Sequence, residues 1–206
     1  AGGWPDREVV ARFADYTAIL ADRFGDRVRH WLTLNEPWCI AMLGYGIGRH
    51  APGVQDWNAA LRAAHHTHLA HRAAVDVIRA AVPEARIGIA LNLHHVDPAT
   101  ETDDDRAAAR LHDGSANRWF LDPVLGRGYP RDVVAAYEPI LEGVDVAELE
   151  GGTPPIDVLG VNYYTRNVIR APREGEAVPG PYPAVMVSGG LPETEMGWEV
   201  HPDGLR

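Results

Sequence analysis

The 206-residue sequence has one cysteine, Cys39, and no lysine at all. A single cysteine excludes a disulfide framework within the chain and removes the usual basis for a thiolate metal site. All 19 basic residues are arginines, against 29 acids, giving a formal net charge of −10. No basic block occurs, so no nucleic-acid partner is expected, and the acids read as a solvated surface rather than a tail. No apolar run approaches the ~18 residues that a membrane span requires. No signal-peptide pattern opens the chain, which begins "AGGWPDREVV", without Met and already at a helix cap. A cytoplasmic location is the expectation, and nothing in the sequence bears on oligomeric state.

What is present is a hydrophobic content of 46%, enough for one sizeable core. Residues 4–25 read as an amphipathic helix, with Pro5 in its first turn and Val9, Phe13, Leu20 and Phe24 on one side. "VRHWLTLN" (28–35) reads as a strand, followed by a Gly-rich loop, "GYGIGRHAPG" (44–53). Asp56 is placed to cap a long helix that Pro83 ends. "ARIGIALNL" (85–93) reads as a second strand, and the stacked acids of "TDDDRAAARLHDGSANRWF" open another helix. A short helix in "PRDVVAAYEPIL" and a third strand in "IDVLGVNYY" follow. Residues 165–206 read as a long Pro- and Gly-rich loop with a short hairpin near "YPAVMVSGG". Buried strands alternating with helices predict an α/β fold with a parallel sheet. No linker divides the chain, so residues 1–206 read as one domain segment.

In such folds the working groups gather at the C-terminal ends of the strands. Here those ends read "LNEP", "LNLHH" and "VNYYTR". Pro37 lacks an N–H, so ladder pairing stops there, and it biases Glu36 toward an extended backbone. An apolar, aromatic surround would raise the pKa of Glu36 and suit it to act as a general acid. Asn35 is placed to hydrogen-bond a hydroxyl, and Trp31 and Trp38 offer flat faces to a sugar ring. An isolated Glu-Pro would be an exposed loop acid or a helix cap; its setting in "TLNEPW" points away from that.

Several stretches resemble glycoside hydrolase family 1, the β-glucosidase family: "GGWPDREVVARFADY", "TLNEPW", "GYGIGRHAPG", "WFLDPVLGRGYP", "DVLGVNYYT" and "TEMGWEVHPDGL", in order along the chain. The resemblance implies a (β/α)8 barrel and a retaining mechanism with two glutamates. It makes Glu36 the acid/base, with Asn35 holding the 2-hydroxyl of the scissile sugar. Tyr164 would contact the nucleophile, Asn162 would lie near the catalytic pair, and Trp38 and Asn92 would border the aglycone side. The substrate implied is a small β-glucoside or oligosaccharide, and no cofactor or metal is implied. The family's nucleophile stretch, "TENG", does not occur in the chain. The three strands would therefore be the fourth to sixth of a partial barrel, with the nucleophile glutamate outside these residues. Two alternatives stay open: a 6-phospho-β-glycosidase, and a truncated sugar-binding or relic protein without catalysis.

Other features carry blander readings. His65, His68 and His71 recur along one helix, yet no Cys or acid completes a metal set, so packing is expected. His94 and His95 follow the second strand and fit an aglycone subsite or a loop equally well. Asp97 is the nearest second carboxylate to Glu36 by position, although it precedes Pro98 and resembles a turn residue. Gly44, Gly46 and Gly48 lack the strand–GxGxxG–helix setting of a phosphate loop. Cys39 reads as a small buried hydrophobe.

Overall fold

A computed structural model describes residues 2–206. In chain order it contains α1 (Glu8–Phe24), β1 (His30–Asn35), a π-helix (Cys39–Gly46), α2 (Trp57–Ala81), β2 (Arg86–Asn92) and β3 (His95–Pro98). There follow α3 (Asp103–Asp113), a π-helical stretch (Gly114–Arg118), α4 (Trp119–Val124), α5 (Arg131–Tyr137), β4 (Val158–Asn162), β5 (Arg166–Arg170) and β6 (Val185–Val187). The described residues divide into two compact units. The first holds everything up to Leu91 with Phe120–Tyr129 and Pro139–Val161; the second holds Asn92–Trp119, Pro130–Glu138 and Asn162–Arg206.

In the first unit the sheet order is β1-β2-β4, with β1 and β2 parallel as the sequence predicts. Gly88 sets how closely β2 and β4 approach, because a Cβ there would collide with the Val158 carbonyl. Asp157 braces the same edge: its Oδ2 accepts the Ile87 N–H at 2.9 Å and pairs with Arg79 at 3.3 Å. Helix α1 begins later than the sequence suggests, after the Asp6 carboxylate caps the Glu8 N–H at 3.0 Å. Its fully buried residues are the small Thr17 and Ala21, whereas Phe24 is exposed. Ala21 packs with Val75, Ile78, Val82 and Ile87 in a core that also takes in Trp31. Helix α2 is capped as expected, Asp56 accepting the Ala59 N–H at 3.1 Å.

The histidines of α2 are buried and tie other segments to it. The His66 Nδ1 lies 2.8 Å from the Trp4 carbonyl, and His68 packs edge-on to Tyr129. His65 lies 3.1 Å from the Tyr129 hydroxyl and 3.0 Å from Glu148, which also pairs with Arg7. Burial pushes the His65 pKa down, so the ring is neutral: Nε2–H donates to the carboxylate and Nδ1 accepts the phenol proton. Arg7 first and His65 second hold the Glu148 pKa down at about 2.

In the second unit the order is β3-β5-β6, with β3 and β5 parallel and β5 and β6 antiparallel. The expected hairpin near residue 185 is therefore β6 pairing with β5, and residues 166–170 are strand rather than loop. The strands β3 and β5 escape a hydropathy reading because they are short and charged: Asp97 pairs with Arg166 across them at 3.0 Å. Ala108, Ala109, Ile169 and Ala184 form this unit's core. Helix α3 starts at Thr102, whose hydroxyl accepts the Asp105 N–H at 3.3 Å. The Gly-rich stretch also differs from expectation. Gly44 and Gly46 lie inside a buried π-helix, and Gly46 is required because a Cβ would strike the Trp57 ring.

Two outcomes follow. Gly88→Ala, measured by thermal unfolding and soluble yield, is expected to cost more than about 3 kcal/mol because backbone cannot yield as a rotamer does. Gly151→Ala, which meets nothing within 4 Å, serves as the neutral control. For Glu148 the folded pKa lies below its usual 4.5, so its stabilisation is full above that pH and is lost as pH falls toward about 2. Glu148→Gln is expected to flatten the acid limb of the stability–pH curve over that window; an unchanged limb would refute the assignment.

Candidate active site

At the end of β1 the chain passes from strand to helix without a spacer. Register with β2 runs Leu32↔Gly88 and then Asn35↔Ala90, so three residues of β1 advance against two of β2. Such a bulge re-aims the side chains that follow it. Glu36 comes next with φ of 49°, the one non-glycine residue in the left-handed region among those described. The Glu36 N–H still belongs to the sheet, donating to Ala90 O at 2.9 Å. Its carbonyl already belongs to the helix, accepting from Cys39 N at 2.9 Å and Ile40 N at 3.3 Å.

The extended backbone expected of a residue before proline is thus not what the chain adopts. A strand that becomes a helix with no spacer needs one residue to reverse direction, and Glu36 is that residue. Pro37 suits the first helical position because it has no N–H to leave unpaired. Left-handed non-glycine residues cost on the order of 1–3 kcal/mol and persist where the surrounding structure over-determines them.

Asn35 is exposed, and Glu36 and Trp38 are half-buried, so the three stand together at the mouth of β1. Trp31 does not join them: its indole donates to Val28 O at 3.1 Å and its ring packs into the helix core. Thr33 secures the strand behind the turn, donating to Gly88 O at 3.3 Å and lying 2.7 Å from Nδ1 of buried His71. Burial pushes the His71 pKa down to about 4, so this ring stays neutral as well.

Cys39 is more than the small hydrophobe its surroundings suggest. It is half-buried, and its thiol donates to Glu36 Oε2 at 3.2 Å. Burial first and the Glu36 carboxylate second push the thiol pKa up to about 12, which removes it as a nucleophile. Its spacing from Glu36 was the one signal for this contact, since residues three apart on a helix lie on one face.

In the second unit, Asn92 is buried and Asn162 half-buried, and Leu93 N donates to Asn162 O at 3.1 Å, joining the two strand ends. Tyr164 is exposed, with its ring 5.4 Å from that of Trp198. Trp198 lies within the "TEMGWEV" stretch, but nothing in the sequence pairs it with Tyr164. The His94 backbone is clamped at both its N–H and its carbonyl by the Asn117 amide, at 2.9 and 2.8 Å. Asp97 is committed to structure: His95 Nε2 lies 2.9 Å from one oxygen and Arg166 3.0 Å from the other. It is therefore a poor second carboxylate for Glu36. No three His, Cys, Asp or Glu residues group as a metal site among the described residues. No described helix is long and apolar enough to cross a membrane.

A family model for "Glycosyl hydrolase family 1" matches residues 1–206. Beta-glucosidase A of Thermotoga maritima is 38% identical over 208 residues, covering 99% of this chain and 45% of its own length. The bifunctional beta-D-glucosidase/beta-D-fucosidase of Bifidobacterium breve is 39% identical over 215 residues, with 99% and 45% covered. Among solved structures, the Thermotoga maritima family 1 glycoside hydrolase complexed with a cyclophellitol analogue transition state mimic superposes with a TM-score of 0.89. It is 37% identical and covers 99% of this chain and 45% of that one. The chain thus spans about half the length of the curated relatives it matches. By its full-length family match and these relatives, the chain belongs to glycosyl hydrolase family 1.

Proposed function

We propose that this chain is the central section of a retaining β-glucosidase, contributing strands four to six of a (β/α)8 barrel and the acid/base Glu36. The observation that carries the reading is the turn at Glu36, where sheet and helix each hold one side of the residue. Its carboxylate is thereby fixed at a strand's C-terminal end beside Asn35 and Trp38, the placement expected of a working group in such folds. Leu32, Leu159 and Val161 of β1 and β4 are exposed, as apolar strand residues are when further protein normally covers them.

The reaction is double displacement. Glu36 gives its proton to the glycosidic oxygen as the C1–O bond breaks, while a second glutamate, outside these residues, bonds to C1. The Glu36 carboxylate then takes a proton from water as the water oxygen attacks C1 and displaces that glutamate. Asn35 holds the 2-hydroxyl, Trp38 and Asn92 border the leaving group, Tyr164 contacts the nucleophile, and Asn162 lies near the pair. The substrate is a small β-glucoside or β-linked oligosaccharide.

The test is Glu36→Gln in the full natural reading frame that carries this chain. General acid catalysis is worth about 10²–10⁴-fold. Hydrolysis of glucosides with poor leaving groups is expected to fall by that factor. Activated aryl glucosides, which need little protonation, should keep most of their glycosylation rate in a pre-steady-state burst. Equal loss on both substrates would sink the assignment.

A further inference from the structure

Cys39 occupies a position that the two-glutamate scheme leaves without a task, and this inference rests on the proposed role of Glu36. Two independent features bind the residues to each other. The Cys39 N–H donates to the Glu36 carbonyl at 2.9 Å, which helps hold the left-handed turn. Its side chain then folds back along the first helical turn, and the thiol reaches Glu36 Oε2 at 3.2 Å. Sγ therefore meets the same carboxylate that must gain and lose a proton in each cycle. On its other side Cys39 lines a cavity of about 280 Å³ with Trp4, Ile40, Tyr45 and His50. This space lets the residue at 39 be exchanged for others of similar size without repacking the sheet.

We propose that Cys39 is a positioning residue that sets the proton affinity and orientation of Glu36 through its S–H donor. A donor aimed at a carboxylate oxygen favours the charged form and so lowers the carboxyl pKa. It also fixes the direction in which Oε2 lies. The thiol is a weak donor, which suits a group whose charged and neutral forms must both be reached. A stronger donor would hold Glu36 ionised and slow its return to the acid form. An apolar residue would leave it too reluctant to ionise for the base step.

The experiment compares Cys39→Val, Cys39→Ala and Cys39→Ser in the full reading frame, each checked for an unchanged melting temperature. The readout is the alkaline limb of the kcat/KM–pH profile on a glucoside with a poor leaving group, since that limb reports loss of the acid proton in the free enzyme. Val and Ala remove the donor and are expected to move the limb upward by about half a pH unit. Ser, which restores a donor, should return it to or below the wild-type position. Three limbs that coincide, or a Ser limb that moves up with Val, would overturn the proposal. If Val fails to fold, the smaller Ala gives the same comparison against Ser. Glu36→Gln is measured alongside. Retained hydrolysis in that variant would refute the acid/base reading itself, while its loss together with unmoved cysteine limbs would refute only the role of Cys39.

Discussion

Glu36 is bound to two kinds of secondary structure at once, and the local architecture of the first unit follows from that. Its N–H completes the β1–β2 ladder and its carbonyl opens the π-helix. Neither bond leaves room for an extra residue, so the chain reverses within a single left-handed conformation. That conformation costs roughly 1–3 kcal/mol for a non-glycine residue. It holds because the bulge before it, Pro37 after it and the hydrogen bonds on both sides all require the same backbone. Glycine would relieve the strain but would remove the carboxylate. The residue is thus fixed at the end of β1 by backbone bonds that do not involve its side chain.

The same economy appears in α2, which is buried along most of its length and so is built largely of alanine. Its histidines supply what alanine lacks, a polar atom that can reach an irregular segment. His66 takes the carbonyl of Trp4, His65 joins Tyr129 to Glu148, and His71 meets Thr33. Burial lowers the pKa of all three rings, so each acts as a neutral hydrogen-bonding group rather than as a charge. A leucine at 66 would take away the ring nitrogen that meets the Trp4 carbonyl, and losing the partner of a buried polar group costs about 1–3 kcal/mol.

How much of this was legible depends on what each signal reports. Caps and periodic apolar runs gave α2, the parallel pairing of β1 with β2, and the start of α3, because those elements are decided by local chemistry. The motif "TLNEPW" gave the location of Glu36 but not its backbone, since proline's effect on its neighbour is a bias that tertiary bonds override. β3 and β5 were missed because they are short and interrupted by charged residues, Asp97 and Arg166 among them, so their buried Val168 and Ile169 give no clear apolar alternation. Gly44 and Gly46 read as loop because glycine signals turns, yet here Gly46 makes room for Trp57 and Gly44 lies close to the Ala51 carbonyl. Trp31 was assigned to a sugar face on composition alone, and the strand's alternation sends it to the core instead. The Cys39–Glu36 contact needed only helical spacing, but a cysteine among apolar residues gave no reason to look for a polar role.

The charged groups of the second unit are committed to one another and to the backbone. Asp97 meets His95 and Arg166, and Arg166 is shared with Glu199, whose carboxylate also takes backbone N–H groups from Gly189 and Leu191. Arg166 first and these N–H groups after it hold the Glu199 pKa down. A carboxylate so committed is a weak nucleophile, because attacking a sugar carbon would mean giving up its hydrogen bonds. Neither acid is therefore open to a covalent role. One side-chain partner of Glu36 is the Cys39 thiol, whose pKa is pushed up to about 12, so it is neither a nucleophile nor a competing acid. Asp97 and Glu199 thus serve to hold the strands and the 189–191 segment together, whereas Glu36, half-buried at the end of β1, is met by a group that neither attacks carbon nor competes for its charge.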